Sequence, residues 1–306
     1  VSPPTHPVGG IVVTHDSADV LPACLDALGR AGVPVLVVDN ASQDGSAHLA
    51  QARGAQVIRN ARNEGYGRAN NIGARAASSE FLLVVNPDVA LDEAAVAELV
   101  AAARRYPDAG LLAPRIVEPD GRVFYQPTSL LAAHLTNPGG RLAVPEGDAC
   151  APFFSGACFL VRRELFLTLG GFDEQIFLFY EDDDLCRRIG DAGAALVYVP
   201  SAVVRHARGR SSTPGRGRIF NARWHQAWSR AYVSRKYGLP NPALTMFLLN
   251  AAKTLAAGLT LQRPLIERYA GSAAGALASL LGRTALERQG LAGRGSSADP
   301  TALPPP

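Results

Sequence analysis

An α/β fold is predicted, with a mostly parallel central sheet flanked by helices and a helical extension at the C-terminal end. Three observations predict it. Short apolar runs alternate with helix-period segments near the start of the chain, in the order βαβαβ, for which a parallel sheet with right-handed crossovers is the economical topology. The run Phe81-Leu82-Leu83-Val84-Val85 stops at Asn86-Pro87-Asp88, as a strand buried on both faces does when it delivers polar groups to its carboxyl end. Past Tyr237-Gly238-Leu239-Pro240 the composition turns apolar or small as far as Leu261, broken by Asn250 and Lys253, which sets an extension apart from what precedes it.

Val8 to Val13 reads as the first strand, broken by Thr14-His15-Asp16-Ser17. Ser17 or Asp16 suits the cap of a helix that carries Val20, Leu21, Leu25 and Leu28 on one face. Val33 to Val38 is a second buried strand ending in Asp39-Asn40-Ala41-Ser42; a helix with Leu49 and a third strand, Ala55 to Ile58, follow. Asn63 to Gly73 then carries Gly65, Gly67 and Gly73 into an alanine-rich helix, so backbone can approach a ligand closely there. The string partly imitates a dinucleotide fingerprint, but Asn70 stands at its third glycine and it follows the third strand. A loop facing phosphate or sugar at a helix amino end fits better.

The Asn86-Pro87-Asp88 turn has two readings. Ligands of open α/β sheets bind at the carboxyl ends of strands, where the Asn86 and Asp88 oxygens would suit a divalent cation that also holds phosphate. Alternatively the turn only caps the next helix, expected over Asp92 to Arg105. A strand from Leu111 and the hairpin turn Pro119-Asp120-Gly121-Arg122 follow, giving an antiparallel pair at the sheet edge. Pro127 to Pro152 reads as a long loop, Phe153 to Val161 as a strand, and Arg163 to Leu169 as a short helix ended by Gly170-Gly171. Glu181-Asp182-Asp183-Asp184 opens another helix with Leu185 and Ile189 on its apolar stripe. The helix dipole accounts for most of these acids; adjacent like charges raise one another's pKa, so one facing a cleft suits a general base. Two short strands, Ala195 to Val199 and Val203 to His206, complete the set.

The chain has 306 residues, 47% hydrophobic and 19% charged, enough for a large domain with an appendage and incompatible with a disordered chain. Net charge is only +3, yet no acid occurs between Asp191 and Glu267, while Arg205, Arg208, Arg210, Arg216, Arg218, Arg223, Arg230, Arg235 and Lys236 do. Such a block suggests an anionic partner. Cys24, Cys150, Cys158 and Cys186 show no CxxC spacing, so free thiols in a reducing compartment are expected, without zinc or disulfides. No signal peptide is expected from the first residues. Pro242 to Leu261 approaches bilayer-spanning length, but its polar residues favour an interfacial helix or a dimer contact.

Thr14-His15, Val38 to Ser42, Asn63 to Gly73, Asn86-Pro87-Asp88, Gly170 to Glu174 and Tyr180-Glu181-Asp182 through Leu185 together resemble the family 2 inverting glycosyltransferases of GT-A fold, in the rhamnosyltransferase-like branch that builds bacterial cell-surface polysaccharides. The resemblance covers about Val8 to Tyr237 and implies a GT-A catalytic domain over 1–237; the composition shift beyond it sets off a helical extension over 238–292, and a disordered tail is expected over 293–306. It implies that Thr14, with His15 and Asp16 beside it, and Asp39 contact the nucleotide, and that Asn63, Gly65, Arg68 and Asn71 line the nucleotide-sugar pocket. Asp88 would hold Mg²⁺ or Mn²⁺, with His206 as a further metal or diphosphate ligand. Asn86 replaces the first acid of the family's Asp-x-Asp and would touch ribose or a metal-bound water. Arg208, Arg210 and Ser211 would hold the leaving diphosphate. Asp182 would be the catalytic base, oriented by Glu181 and Asp184. The implied donor is a nucleoside-diphosphate sugar and the implied acceptor a glycan or lipid-diphosphate-linked hydroxyl, met at the cytoplasmic face of the inner membrane, with an anionic membrane surface or a homodimer engaging the extension and no nucleic acid involved. Two other readings stand beside it: a nucleotidyltransferase that makes sugar nucleotides, and a catalytically silent membrane-associated scaffold.

Overall fold

The apolar runs pair into one 10-stranded sheet. The computed structural model describes residues 7–132, 143–207 and 217–291. They fall into two compact units, the first within Val1–Asp173 and Glu181–Thr213, the second within Glu174–Tyr180 and Pro214–Pro306.

The first unit runs β1 (Val8–Thr14), α1 (Leu21–Arg30), β2 (Val35–Asp39), α2 (Ser46–Ala52), β3 (Gln56–Arg59), α3 (Tyr66–Ala76), β4 (Phe81–Val85), β5 (Val89–Leu91), α4 (Ala95–Arg105), β6 (Ala109–Val117), β7 (Val123–Phe124), β8 (Ala149–Cys150), β9 (Cys158–Arg162), α5 (Arg163–Thr168), α6 (Glu181–Asp191) and β10 (Ala195–His206). The sheet order is β3-β2-β1-β4-β9-β6-β10-β5, with β7 on β6 and β8 on β10. The half from β3 to β4 is parallel and β9 runs antiparallel to β4 and β6. Successive side chains of a strand point to opposite faces. Leu83 and Val85 accordingly join a core with Leu21, Leu25 and Leu28 of α1 and Leu99 of α4, while Leu82 and Val84 join another with Phe166 of α5 and Leu185 and Ile189 of α6. Burial on both faces is why β4 reads as an unbroken apolar run.

Several local readings change. The three-residue β5 follows the Asn86-Pro87-Asp88 turn and pairs antiparallel with β10, so α4 starts at Ala95 and not at Asp92. The expected glycine loop is mostly helix. Gly65, at φ 86°, starts α3, and Gly67 and Gly73 serve packing: a Cβ would lie 2.9 Å from Phe172 Cβ at the first and 2.7 Å from Ile11 Cγ2 at the second. Phe153 to Ala157 is a lead-in to β9, not strand. The two short strands expected before the basic block are one strand, β10, whose pairing with β6 shifts register between Val199 and Val203; Pro200 has no N–H for the ladder, which favours a bulge there.

The second unit holds α7 (Arg218–Lys236), α8 (Ala243–Leu259), α9 (Arg263–Leu280) and α10 (Ala285–Arg288). Helix α7 therefore clusters with the helices after it, whereas the expected boundary lay at residue 237. Trp224, Trp228 and Tyr232 stack along it at centroid spacings of 6.4 and 5.2 Å. Gly275 of α9 abuts the Trp224 carbonyl so closely that a Cβ would collide with it. No helix among the described residues is long and apolar enough to cross a membrane. The tail expected over 293–306 lies outside the described residues.

Candidate active site

The carboxyl ends of β1 and β2 lie side by side, Thr14 opposite Asp39 in the ladder. Their backbones are committed, Thr14 O accepting from Asn40 N at 2.8 Å and Asp39 O from Asn60 N at 2.8 Å. Their side chains are not: Thr14 Oγ1 and Asp39 Oδ1 are buried without a hydrogen-bond partner among the described residues. Buried polar groups are normally paired, so such atoms at a strand end suit a ligand that supplies the missing bonds.

The loops around them are held by short polar side chains. His15 Nδ1 lies 2.9 Å from Asn40 O, which makes that nitrogen the donor. Asp16, at φ 52°, accepts from Gln43 N at 2.7 Å. Asp44 accepts from Ala18 N at 2.7 Å and from Ser46 Oγ at 2.6 Å, bonds that lower its pKa against its own partial burial. Asn63 accepts from Gly65 N at 2.9 Å, and Asn40 Nδ2 donates to Gly65 O at 3.1 Å. Arg68 pairs with Glu64 at 3.4 Å. His15, Asp16, Asn63, Gly65 and Arg68 are thus held in place around Thr14 and Asp39 by Asn40, Gln43 and Glu64.

The turn after β4 gathers a second group. Antiparallel pairing of β5 with β10 sets His206 opposite Val89, and Ala207 N donates to Asp88 O at 2.9 Å. His206 Nε2 stands 3.3 Å from Asp88 Oδ1, whose side chain is 0% exposed. Among the described residues neither Asp88 oxygen nor Asn86 Oδ1 has a hydrogen-bond partner. A carboxylate and an imidazole nitrogen converging with uncommitted lone pairs fit a divalent cation. The described residues contain no cluster of three His, Cys, Asp or Glu able to hold one, so the remaining ligands would be water and phosphate oxygens, as suits Mg²⁺ or Mn²⁺.

Asp182 reaches the same strand end through backbone. Asn86 N donates to Ala157 O at 2.9 Å. The neighbouring Gly156 N donates to Asp182 Oδ2 at 3.0 Å. Tyr66 OH donates to Gly156 O at 2.7 Å, fixing the next peptide, Gly156–Ala157, on the other side of the Gly156 Cα. A Cβ on Gly156 would sit 3.3 Å from Asp182 Cβ, so a small residue is what permits the approach. Asp182 keeps partial exposure beside buried Glu181 and Asp183. Burial raises the Asp182 pKa against the Gly156 hydrogen bond. Burial, then the charges of Asp182 and Asp183, push Glu181 well above the usual carboxylate range, and burial with Asp182 brings Asp183 to about 7.

Two expected site residues also make structural contacts. Asn71 is 1% exposed; it donates to Phe172 O and accepts from Phe172 N, both at 2.8 Å, clamping the Gly170-Gly171-Phe172 turn. Asp184 is 0% exposed and pairs with Arg188 at 2.7 Å, while Arg188 also donates to Leu169 O at 2.8 Å, which anchors the start of α6 to the end of α5. Arg208, Arg210 and Ser211 lie outside the described residues. Tyr66, Gly156 and Asp183 are additions. Only Asp183, inside the acidic run, carried a sequence signal.

The model for "Glycosyl transferase family 2" matches residues 11–170. Among curated relatives, the N-acetylglucosaminyl-diphospho-decaprenol L-rhamnosyltransferase of Mycobacterium tuberculosis is 33% identical over 265 residues, 72% of this chain and 86% of that protein. Rhamnosyltransferase WbbL of Escherichia coli K12 is 26% identical over 195 residues, 58% of this chain and 73% of that protein. Among solved structures, the mannosyltransferase PcManGT from Pyrobaculum calidifontis, in complex with GDP-Man and Mn²⁺, superposes with a TM-score of 0.55 at 20% identity, covering 92% of this chain and 89% of its own. Residues 1–349 of S. aureus TarS with UDP-GlcNAc give 0.53 at 14% identity, covering 91% and 93%. These likenesses show the fold, which is GT-A. With the family match spanning residues 11–170 and a relative at 33% identity, the chain belongs to glycosyl transferase family 2.

Proposed function

We propose that this protein is an inverting, metal-dependent glycosyltransferase that moves rhamnose or a similar sugar from a nucleoside-diphosphate donor to a hydroxyl of a lipid-diphosphate-linked glycan, at the cytoplasmic face of a bacterial membrane during cell-surface polysaccharide synthesis. One observation carries the reading: the uncommitted Asp88–His206 pair and the Asp182 carboxylate are tied to the same strand end, the second through Asn86–Ala157 and Gly156–Asp182 hydrogen bonds. The names of the curated relatives supply the sugar and the lipid-linked acceptor.

In this reading Thr14 Oγ1 and Asp39 Oδ1 receive the nucleoside. Asp88 and His206 hold the cation, which when bound offsets the charge that builds on the departing diphosphate. Asp182 takes the proton of the acceptor hydroxyl as that oxygen forms its bond to the anomeric carbon and the bond to diphosphate breaks on the opposite face. Its raised pKa makes it a better proton acceptor than an ordinary carboxylate, at the cost of a smaller ionised fraction at low pH. A nucleotidyltransferase would carry a glycine-rich basic loop directly after β1, where Thr14-His15-Asp16-Ser17 stands.

Thermal melting against UDP-, GDP- and dTDP-sugars with Mn²⁺ tests the reading, because a ligand that binds only the native state raises its apparent stability. One nucleotide sugar should stabilise the protein in a manner reversed by chelator, and transfer from it should give a product of inverted anomeric configuration. Stabilisation by none of them, or a retained configuration, overturns the proposal.

A further inference from the structure

A second cleft opens on the edge of the sheet that carries Asp88. Strands β4 and β6 both run antiparallel to β9 and so parallel to each other, which puts the carboxyl half of β6 on that edge. Pro114 and Ile116 of β6 line the cleft there, together with Tyr125, Phe154, Ser155 and Tyr198. Helix α6 ties it to the candidate base. Asp182 accepts from Gly156 N at 3.0 Å and, one turn on, Cys186 Sγ donates to Phe154 O at 3.5 Å, so consecutive turns hold the two residues that flank Ser155. Tyr125, Phe154 and Tyr198 pack on the sheet face that also carries Leu185 and Ile189 of α6.

The cleft joins aromatic rings to one uncommitted hydroxyl. Tyr198 is 1% exposed, and its ring centroid lies 5.1 Å from that of partly exposed Tyr125 and 6.3 Å from that of Phe154. Burial raises the Tyr198 pKa against the nearby Arg115 guanidinium, yet among the described residues neither Tyr198 OH nor Arg115 Nε has a hydrogen-bond partner. Buried polar groups are normally paired, so the phenol suits a ligand that supplies the bond. The enclosed foot of the cleft measures about 10 Å³, room for one oxygen atom and not for a ring. A ligand therefore lies across the aromatic mouth and sends a single polar atom inward. A pyranose has that form: its C–H side meets the negative face of an aromatic ring, and its rim carries hydroxyls. Sheet order agrees, because β4 stands between the nucleoside strands β1 and β2 and the cleft strands β6 and β10. In an inverting displacement the attacking hydroxyl arrives on the side away from the nucleoside diphosphate.

Resting on that reading of the reaction, we propose that this cleft is the acceptor subsite, where a pyranose of the acceptor glycan lies against Tyr125 with one hydroxyl bonded to Tyr198 OH. The probe is an N-acetylglucosaminyl diphosphate with a short alkyl chain, a water-soluble form of the lipid-diphosphate-linked acceptor. Tyr198→Phe should raise its KM about fivefold, the loss of one net hydrogen bond, with a smaller change in kcat and the Mn²⁺-dependent melting shift from the donor unaltered. Because the phenol has no partner in the protein to lose, the melting temperature of the ligand-free variant should hold or rise. Tyr125→Leu, which keeps apolar volume and removes the ring face, should raise the same KM about tenfold. An unaltered KM in both variants overturns the proposal and leaves the phenol to water alone. So does a lower melting temperature in Tyr198→Phe, which would give the hydroxyl a partner inside the protein. A wild type that a donor stabilises but that neither binds nor uses the probe overturns the subsite and leaves the transfer reading standing; a wild type that no nucleotide sugar stabilises overturns both.

Discussion

Replacing Tyr66 by Phe removes one hydroxyl, 2.7 Å from Gly156 O, and leaves the ring that packs 5.8 Å from Phe172. A net hydrogen bond is worth about 1 kcal/mol and an orphaned buried carbonyl costs about 1–3 kcal/mol, so the Gly156–Ala157 peptide becomes free to turn within thermal reach and to carry the Gly156 Cα with it. The preceding peptide, joined to it at the Gly156 Cα, gives Asp182 Oδ2 its 3.0 Å donor, and that donor lowers a pKa that burial raises. If that donor is weakened by roughly 1.4 kcal/mol, the base is held about tenfold more strongly in its protonated form. The rate should then fall about tenfold at pH values on the ascending limb and recover above it, while KM for the donor should hold, since the bond removed is at Gly156 O. Steady-state rates from pH 5 to 9 for wild type and Tyr66→Phe check this. Profiles that superpose after scaling by a constant would refute the positioning role and leave Tyr66 as packing alone.

Asp88→Ala should abolish the chelator-sensitive part of nucleotide affinity, and calorimetry giving the same affinity with and without Mn²⁺ in the wild type would contradict the site. Asp183 titrates at about 7 when folded against 3.8 ordinarily, so the folded protein binds more protons than the unfolded chain between those values. Its contribution is complete below pH 4 and lost as pH rises through 7; Asp183→Asn should therefore stabilise the protein by roughly 2–4 kcal/mol at pH 8 and little at pH 4 in denaturant titrations. Asn71→Ala forfeits both 2.8 Å bonds to Phe172 and strands that peptide in the core; a loss of about 2–4 kcal/mol is expected in chemical denaturation, with nucleotide affinity of the surviving folded fraction little changed.

Strands were legible where burial on both faces makes an unbroken apolar run, as in β4, because hydrophobicity there reports burial directly. Elements set by pairing were not. Three-residue β5 exists because β10 offers it an edge, and β10 reads as two strands because Pro200 interrupts the pattern while the ladder resumes beyond it. The convergence of Asp88 with His206 rests on that same pairing, so only the family resemblance hinted at it. The structural contacts of Asn71 and Asp184 were not legible, because a buried staple and a ligand use the same polar residue types. Their partners are Phe172 and Arg188, and the contact between Asn71 and Phe172 crosses a sequence separation of 101 residues. Tyr66 was invisible for a related reason: its role lies in one hydroxyl aimed at a carbonyl 90 residues away.

The most direct test is Asp182→Asn, with donor binding and transfer measured on the same preparation. Removing a general base costs on the order of 10²–10⁴ in rate, while Asn keeps an oxygen for the Gly156 amide. Unaltered Mn²⁺-dependent donor affinity with transfer reduced at least a hundredfold is the expected result. Transfer at the wild-type rate would remove Asp182 from the chemistry, and the proton would have to leave by another group.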